Sequence, residues 1–319
     1  MKPLVLTLAL AACISSGPAH AQDYPNKPVH VIVPFTPGGG SDTAARFFGE
    51  KLGEALGQNF LVENKPGGVS GSLGTLQVKN SPADGYTILV GSSSPMVVNA
   101  ITVKNLGYDP LKDFKPLAGL TKNTTAVVVA AESALKTVAD LVAASKKNST
   151  LSAGTASAGF QLAANWLGNV AGFTFTHVPY KGLNPTLVDV AGGHLDWAIV
   201  DLAGATPLLQ SGKIRALAVT GEKRHPNLPA VPTVVESGYP DYVYNTWTSF
   251  HVRTETPVDV TSKLAAALQK ILATDAAKEY VSQKGTELLP LDPAAMLDFQ
   301  RVELDRFRKV ANDTGVKQQ

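Results

Sequence analysis

Residues 29–42 read VHVIVPFTPGGGSD, in which a β-branched run leads through three glycines into two residues that commonly cap helices. The run predicts a buried strand over 29–33, and the apolar residues after the glycines recur at helical spacing. Ser41 or Asp42 is the expected N-cap of this helix, and Gly57 is its expected C-cap. A strand that continues through a glycine-rich turn into a helix is typical of an α/β fold.

The same strand-and-helix unit recurs along the chain. Further strands are predicted at 60–62, 86–90, 126–130, 151–153, 176–179, 195–200 and 214–220. Helices are predicted between them at 70–78, 138–145, 159–170, 185–191 and 205–210. From residue 258 onward the apolar spacing is helical only. Strands that alternate with helices predict an α/β protein with mostly parallel sheets.

The length and the charge of the chain limit its function. It has 319 residues, enough for two domains, and 28 Lys and Arg against 26 Asp and Glu give a net charge of +2. No dense basic cluster is present, so neither a nucleic-acid groove nor binding to an anionic membrane surface is expected. The histidines are scattered without a metal-ligand spacing, and no cofactor is expected.

Residues 1–21 have the pattern of a cleavable secretory signal peptide. Lys2 precedes an apolar stretch over 4–14, and Ala19-His20-Ala21 provides a small-residue cleavage site. The apolar stretch is too short to span a bilayer, which takes about 20 residues. We therefore expect an exported, periplasmic protein that begins at Gln22 and contains no cysteine. The alternative is a lipoprotein acylated at Cys13, the end of the stretch LAAC.

Three loops that follow predicted strands are candidates for one anion site. They comprise residues 37–42, 91–94 and 154–159, and all are rich in glycine, serine or threonine. Ligands of open parallel sheets bind at the carboxyl ends of the strands, where backbone N–H groups at a helix start favour an anion. The glycines match neither a Walker loop nor a dinucleotide fingerprint. For each loop, simple helix capping is the alternative interpretation.

Candidate catalytic groups are few. The sequence contains neither Gly-x-Ser-x-Gly nor His-Glu-x-x-His. One of Ser92, Ser93 and Ser94 could be the nucleophile of a secreted α/β hydrolase, but the sequence places no base beside them. Asp201 ends an apolar strand and either faces a cleft or caps the next helix. A non-catalytic protein is therefore expected, with the hydrolase as the alternative.

Six motifs carry a resemblance to a known family. They are VPFTPGGGSD over 33–42 with Ala45-Arg46, VENKPGG over 62–68, PADGYTIL over 82–89, HVPYKG over 177–182, GKIRALAVT over 212–220 and VPTVVESG over 231–238. The chain resembles the substrate-binding proteins of tripartite tricarboxylate transporters, the Bug receptors, over essentially its whole mature length. Thr36, where the family often has proline, and the variant loop GTAS over 154–157 fall where the ligand is expected. The sequence therefore leaves the ligand open.

The resemblance implies a two-lobed, type II periplasmic-binding-protein fold that closes on a ligand in the cleft between its lobes. Residues 22–121 and 222–319 would form the first lobe, and residues 122–221 the second. A monomeric receptor would bind a small organic carboxylate and deliver it to the membrane permease of the transporter. A sensor that presents the ligand to a histidine kinase is a further alternative. The residues implicated in binding are Thr36, Gly38, Gly39, Asp42, Ser92, Ser93, Thr155, Ser157, Tyr180 and Lys181, with Asp201 as a candidate for specificity.

Overall fold

The computed structural model describes residues 24–147, 151–316 and 318, so the predicted signal peptide and Cys13 lie outside the described residues. Within these ranges the strands are β1 (Val29–Val33), β2 (Phe60–Asn64), β3 (Thr87–Ser92), β4 (Phe114–Ala130), β5 (Ser152–Thr155), β6 (Thr176–Pro179), β7 (Trp197–Asp201), β8 (Ile214–Val219), β9 (Asn245–Arg253) and β10 (Glu287–Leu288). The helices are α1 (Gly40–Leu56), α2 (Ser72–Lys79), α3 (Asn99–Thr102), α4 (Val138–Lys147), α5 (Ala158–Ala171), α6 (Leu183–Ala191), α7 (Leu202–Gln210), α8 (Val258–Leu272), α9 (Asp275–Lys284) and α10 (Pro293–Asp313). None of these helices is long and apolar enough to cross a membrane.

The long strand β4 joins the two halves of a curled sheet. Its residues 114–124 pair antiparallel with β9, and its residues 125–130 pair antiparallel with β7 and β8. The strand order is β2-β1-β3-β9-β4-β7-β5-β6, with β8 and β10 also paired to β4. The strands β1, β2 and β3 are mutually parallel at one end, and β5, β6 and β7 are parallel at the other. The fold is therefore two parallel α/β units linked by antiparallel strands.

The prediction of mostly parallel sheets is wrong at the centre of the molecule, where the first part of β4 and all of β9 are antiparallel strands that the sequence pattern did not predict. The first part of β4 contains Pro116 and Gly119, which are poor strand formers, and β9 reads NTWTSFHVR with many polar side chains. Both strands are nevertheless buried along nearly their whole length. β9 is paired on both sides, with β3 and β4, and residues 114–124 of β4 are paired with β9. Pairing with distant strands is not visible in local periodicity.

Helix α1 directly follows the glycine loop and packs on the first half of the sheet. Its buried face includes Phe48 and Leu52, which join the core formed by β1, β3 and α8. Gly57 ends the helix in a left-handed conformation, with φ at +71°, and its N–H donates to the Gly53 carbonyl. The predicted C-cap is therefore confirmed.

The predicted N-cap of α1 is wrong. The helix begins at Gly40 with Gly39 as its N-cap, and Asp42 lies within the first turn. From there the Asp42 carboxylate accepts a 3.0 Å hydrogen bond from the N–H of Gly38. The carboxylate thus reaches backward to the glycine loop, and the helix starts two or three residues earlier than the capping pattern indicates.

Residues 222–244 follow β8 and pack against the second half of the sheet. The N–H of Val219 donates to the Pro232 carbonyl, and the N–H of Val234 donates to the Val219 carbonyl, both at 2.9 Å. The Tyr242 hydroxyl donates to a carbonyl of α5 at 3.1 Å. The lobe limits at 121 and 221 stay a prediction, and these bonds favour a second lobe that extends to about residue 244.

Candidate functional site

Four helices begin at one cavity between the two halves of the sheet. The N-caps of α1, α5, α6 and α7 are Gly39, Ser157, Gly182 and Asp201, and all four line the cavity. Each helix start presents unsatisfied N–H groups and a partial positive charge. The volume of the cavity is about 50 Å³. This convergence favours a small anion.

The lining is mostly small, hydroxylated or aromatic. It consists of Phe35, Thr36, Gly39, Gly40, Ser41, Asp42, Ser92, Ser93, Ser94, Ala156, Ser157, Phe160, Gly182, Leu183, Asp201, Thr246 and Trp247. Among these described residues no lysine, arginine or histidine occurs. An anion held here would be bound by dipoles and hydroxyl groups.

The structure brings seven of the predicted binding residues together in this lining: Thr36, Gly39, Asp42, Ser92, Ser93, Ser157 and Asp201. Four others lie outside it: Gly38, Thr155, Tyr180 and Lys181. Thr155 pairs with Nε2 of His177, the Tyr180 hydroxyl donates to Asp189, and Lys181 is exposed. Their part in ligand binding remains a prediction.

The backbone at the start of α1 is shaped for close approach of a ligand. Gly38 adopts φ +91°, a conformation that favours glycine. Its N–H donates a hydrogen bond to the Asp42 carboxylate and is therefore not free for a ligand. The N–H groups of Gly40 and Ser41 fall in the first turn and have no acceptor within the helix. Both residues line the cavity. These two amides are therefore the donors that α1 offers to an anion.

Asp42 organises this loop rather than facing a ligand with a free carboxylate. Besides Gly38, its oxygens accept hydrogen bonds from Arg46 Nε at 3.2 Å, Arg46 Nη2 at 2.9 Å and Asn64 Nδ2 at 2.9 Å. Burial alone would raise the pKa of Asp42, but the hydrogen bonds from Arg46, Gly38 and Asn64 lower it below its usual range. The charge of Asp42 is thus compensated within the protein.

The start of α5 is completed by hydroxyl groups from the other half of the sheet. Ser94 Oγ donates to Ser157 Oγ at 2.9 Å and accepts the N–H of Gly159 at 3.1 Å. The N–H of Ala158 donates to Ser70 Oγ at 2.5 Å. Because the first amides of α5 are already paired, the loop 154–159 offers fewer free donors than the loop at α1. Sequence reasoning did not single out Ser70.

Asp201 is the other charged group of the lining. Its Oδ1 accepts a hydrogen bond from the Thr246 hydroxyl, and burial raises the pKa of Asp201 to about 6. Thr246 and Trp247 come from β9, the strand that the sequence pattern missed. No local signal in the sequence marks either residue as part of the site.

The geometry does not support the hydrolase alternative. Within the described residues, no hydrogen bond joins Ser92, Ser93 or Ser94 to a histidine, and no histidine lines the cavity. His251 does pair with Ser249 at 2.7 Å, but both side chains are fully buried and no substrate can reach them. A nucleophile needs an adjacent base and access to substrate. The described residues also contain no cluster of three or more metal-ligating side chains.

Comparison with known proteins agrees with this geometry. Residues 44–316 match the family described as the tripartite tricarboxylate transporter family receptor. The chain is 30% identical to the protein BugT of Bordetella pertussis over 325 residues, which cover 98% of this chain and 97% of BugT.

Two solved structures from Rhodopseudomonas palustris are similar over nearly their whole length. Rpa4515 with adipate has a TM-score of 0.90 at 32% identity and covers 93% of this chain and 100% of its own. MatC with bound malate has a TM-score of 0.85 at 27% identity and covers 90% of this chain and 99% of its own. The chain therefore belongs to the family of tripartite tricarboxylate transporter receptors, the family of periplasmic solute-binding proteins that includes the Bug proteins.

Proposed function

We propose that this protein is a periplasmic receptor that captures a small carboxylate-bearing metabolite and delivers it to the membrane permease of a tripartite tricarboxylate transporter. The observation that carries the proposal is the convergence of four helix N-termini on one cavity. A carboxylate is a common metabolite group whose charge and size suit such a site.

The start of α1 is the proposed anchor for the carboxylate. Gly40 and Ser41 offer unpaired backbone N–H groups, and the hydroxyls of Thr36, Ser92 and Ser93 line the same space. Charge-assisted hydrogen bonds of this kind are worth about 1.5–3 kcal/mol each. Micromolar binding corresponds to about 8 kcal/mol, and two or three such bonds together with burial of the ligand would contribute toward it.

The solved relatives support a carboxylate as the ligand class. Rpa4515 was solved with adipate and MatC with malate, and both ligands are dicarboxylates. The two differ in chain length and in the hydroxyl group of malate. We therefore propose a carboxylate as the class of ligand for this chain, but we do not propose adipate or malate as the individual ligand.

Binding is proposed to close the two halves of the molecule around the ligand. Three chain segments meet where the halves join, at Thr125 of β4, Thr220 after β8 and Tyr244 before β9. The Thr125 and Thr220 hydroxyls are hydrogen-bonded, and Thr220 Oγ1 donates to the Tyr244 carbonyl at 2.6 Å. Backbone rotations at this junction would open the cavity.

The same proposal includes export and processing. Removal of residues 1–21 would leave a mature, unlipidated protein that begins at Gln22 and acts as a monomer. The intact mass of the protein from a native periplasm decides between this and acylation at Cys13. A mass that includes an acyl group on a chain that begins at Cys13 would contradict the proposed processing.

The experiment that tests the function is a thermal-shift screen of the mature protein against a library of mono-, di- and tricarboxylates, followed by calorimetry on the compounds that stabilise it. At least one acid is expected to raise the melting temperature and bind with one-to-one stoichiometry. Esters and amides of that acid serve as controls, and they should neither bind nor be hydrolysed. A library without any binder, or turnover that disappears when Ser92, Ser93 or Ser94 is replaced, would contradict the proposal.

A further inference from the structure

The two carboxylates of the cavity lining differ in how their charges are balanced. Asp42 is paired with the guanidinium of Arg46 and receives further hydrogen bonds from Gly38 and Asn64. Asp201 faces no cationic side chain among the described lining residues. It is a negative charge in a cavity whose other features attract anions.

Only one oxygen of Asp201 is occupied by the protein. Oδ1 accepts a hydrogen bond from the Thr246 hydroxyl, and Asn123 Nδ2 in turn donates to Thr246 Oγ1 at 3.5 Å. This chain fixes the Asp201 side chain. Within the described part of the protein, no hydrogen bond is made to Asp201 Oδ2.

The unoccupied oxygen lies beside the proposed anchor for the ligand carboxylate. Asp201 Oδ2 is 3.8 Å from the position that a Cβ atom on Gly40 would take. Gly40 supplies one of the free amides at the start of α1. A carboxylate bound by this amide would therefore have the Asp201 carboxylate as a close neighbour.

Two neighbouring carboxylates repel each other unless a hydrogen-bond donor lies between or beside them. While it is ionised, the Asp201 carboxylate only accepts hydrogen bonds, and within the described residues no protein donor is bonded to Oδ2. The remaining source is the ligand. An unsubstituted diacid brings no donor, whereas a hydroxyl or ammonium group next to the ligand carboxylate brings one.

On the basis of the proposed function, we propose that Asp201 selects acids that carry a hydrogen-bond donor, a hydroxyl or an ammonium group, on the carbon next to the bound carboxylate. The donor pairs with Asp201 Oδ2 while the carboxylate binds the start of α1. Asp201 is then a residue that determines specificity, and unsubstituted acids are discriminated against because they leave two carboxylates in unrelieved contact.

The test uses matched acids that differ only at that carbon: succinate, malate and aspartate; glutarate, 2-hydroxyglutarate and glutamate; and propionate, lactate and alanine. Calorimetry on the mature wild-type protein should show that within the series that binds, at least one donor-bearing acid binds at least tenfold more tightly than the unsubstituted acid. A preference for the hydroxy acid identifies the donor as hydroxyl, and a preference for the amino acid identifies it as ammonium.

The same series is then measured with Asp201→Asn, and with Asp298→Asn, an exposed aspartate of α10, as the control. Asp201→Asn should reduce the preference at least tenfold, and Asp298→Asn should leave it unchanged. If Asp201→Asn does not fold, the wild-type ratios alone decide. Equal or tighter binding of the unsubstituted acids, or a preference that Asp201→Asn leaves intact, would overturn this inference but not the carboxylate receptor. Absence of binding by acids of every kind would overturn both.

Discussion

Ser70 Oγ accepts a 2.5 Å hydrogen bond from the N–H of Ala158, the first residue of α5, although the two residues belong to opposite halves of the molecule. Ser70 adopts φ +46°, and among the described residues it is the non-glycine residue with a positive φ. Asn99 Nδ2 holds this turn by donating to the Val69 carbonyl at 3.1 Å. Ser157, the N-cap of α5, makes no capping bond of its own. The start of α5 is thus capped from across the cleft.

This relationship predicts that Ser70 stabilises the closed form without contacting the ligand. Ser70→Ala removes one hydrogen bond worth about 1 kcal/mol, which corresponds to roughly fivefold weaker ligand binding. The loss should come from faster dissociation in stopped-flow measurements. Ser70→Gly, which also removes the hydroxyl but tolerates the positive φ, should give the same weakening. Ser72→Ala in the same turn is the control, and an equal effect there would contradict the prediction.

Gly39→Val should block the anion site while leaving the fold intact. Gly39 lies at φ −78° and ψ 170°, which valine adopts readily, and a Cβ atom there would meet nothing within 4 Å. The added side chain would occupy space at the start of α1 that the ligand needs. Affinity measured by calorimetry should fall at least tenfold, with an unchanged circular dichroism spectrum. Unchanged affinity would move the carboxylate to another of the helix starts that line the cavity.

Asp42→Asn should weaken both the fold and the binding. The substitution places an amide group where Asp42 now accepts four hydrogen bonds, so the loop at Gly38 loses its support. The free energy of unfolding in urea should fall by about 1–3 kcal/mol, and ligand affinity should fall with it. Lys51→Gln, which breaks the exposed pair with Glu54 on the same helix, is the control and should change neither. If the variant loses stability but keeps full affinity, the conformation of the loop at Gly38 is not needed for ligand binding.

His251 makes the stability of the protein depend on pH. Complete burial lowers the pKa of His251 from 6.5 to about 3, so between these values the unfolded chain binds a proton that the folded protein excludes. Stability therefore falls as the pH falls through this window, by up to about 1.4 kcal/mol per pH unit from this group. Urea unfolding at pH 7, 5.5 and 4 should show a shallower decline for His251→Gln than for the wild type. If the free energy of unfolding falls equally with pH in both proteins, carboxylates rather than His251 determine the pH dependence of stability.

Ligand binding should make the molecule more compact. If the two halves rotate about the junction at Thr125 and Thr220, the ligand-free protein samples open forms that the ligand removes. Small-angle scattering should give a smaller radius of gyration with a saturating acid, and no change with an acid that calorimetry shows not to bind. An unchanged radius with a tightly bound acid would argue against closure.

The sequence alone determined the α/β class and the order of most helices and strands. These features depend on local patterns: β-branched runs for β1 and β7, helical spacing for α1 and α5, and Gly57 as a cap. The glycine loop was found for the same reason, because a strand, a turn and a helix start are adjacent in the chain. The family resemblance also depends on short contiguous motifs.

Tertiary structure decided the centre of the molecule and the composition of the site. The backbone of β9 is paired with β3 and β4, and the first part of β4 is a strand paired with β9 although it contains Pro116 and Gly119. Thr246 joins the cavity from β9, a segment that the sequence analysis did not predict as a strand. Ser70 and Ala158 meet across 88 positions of sequence, and the carboxylate of Asp42 is paired with Arg46. Contacts of this kind depend on how distant segments pack, and the spacing of residues along one segment carries no record of them.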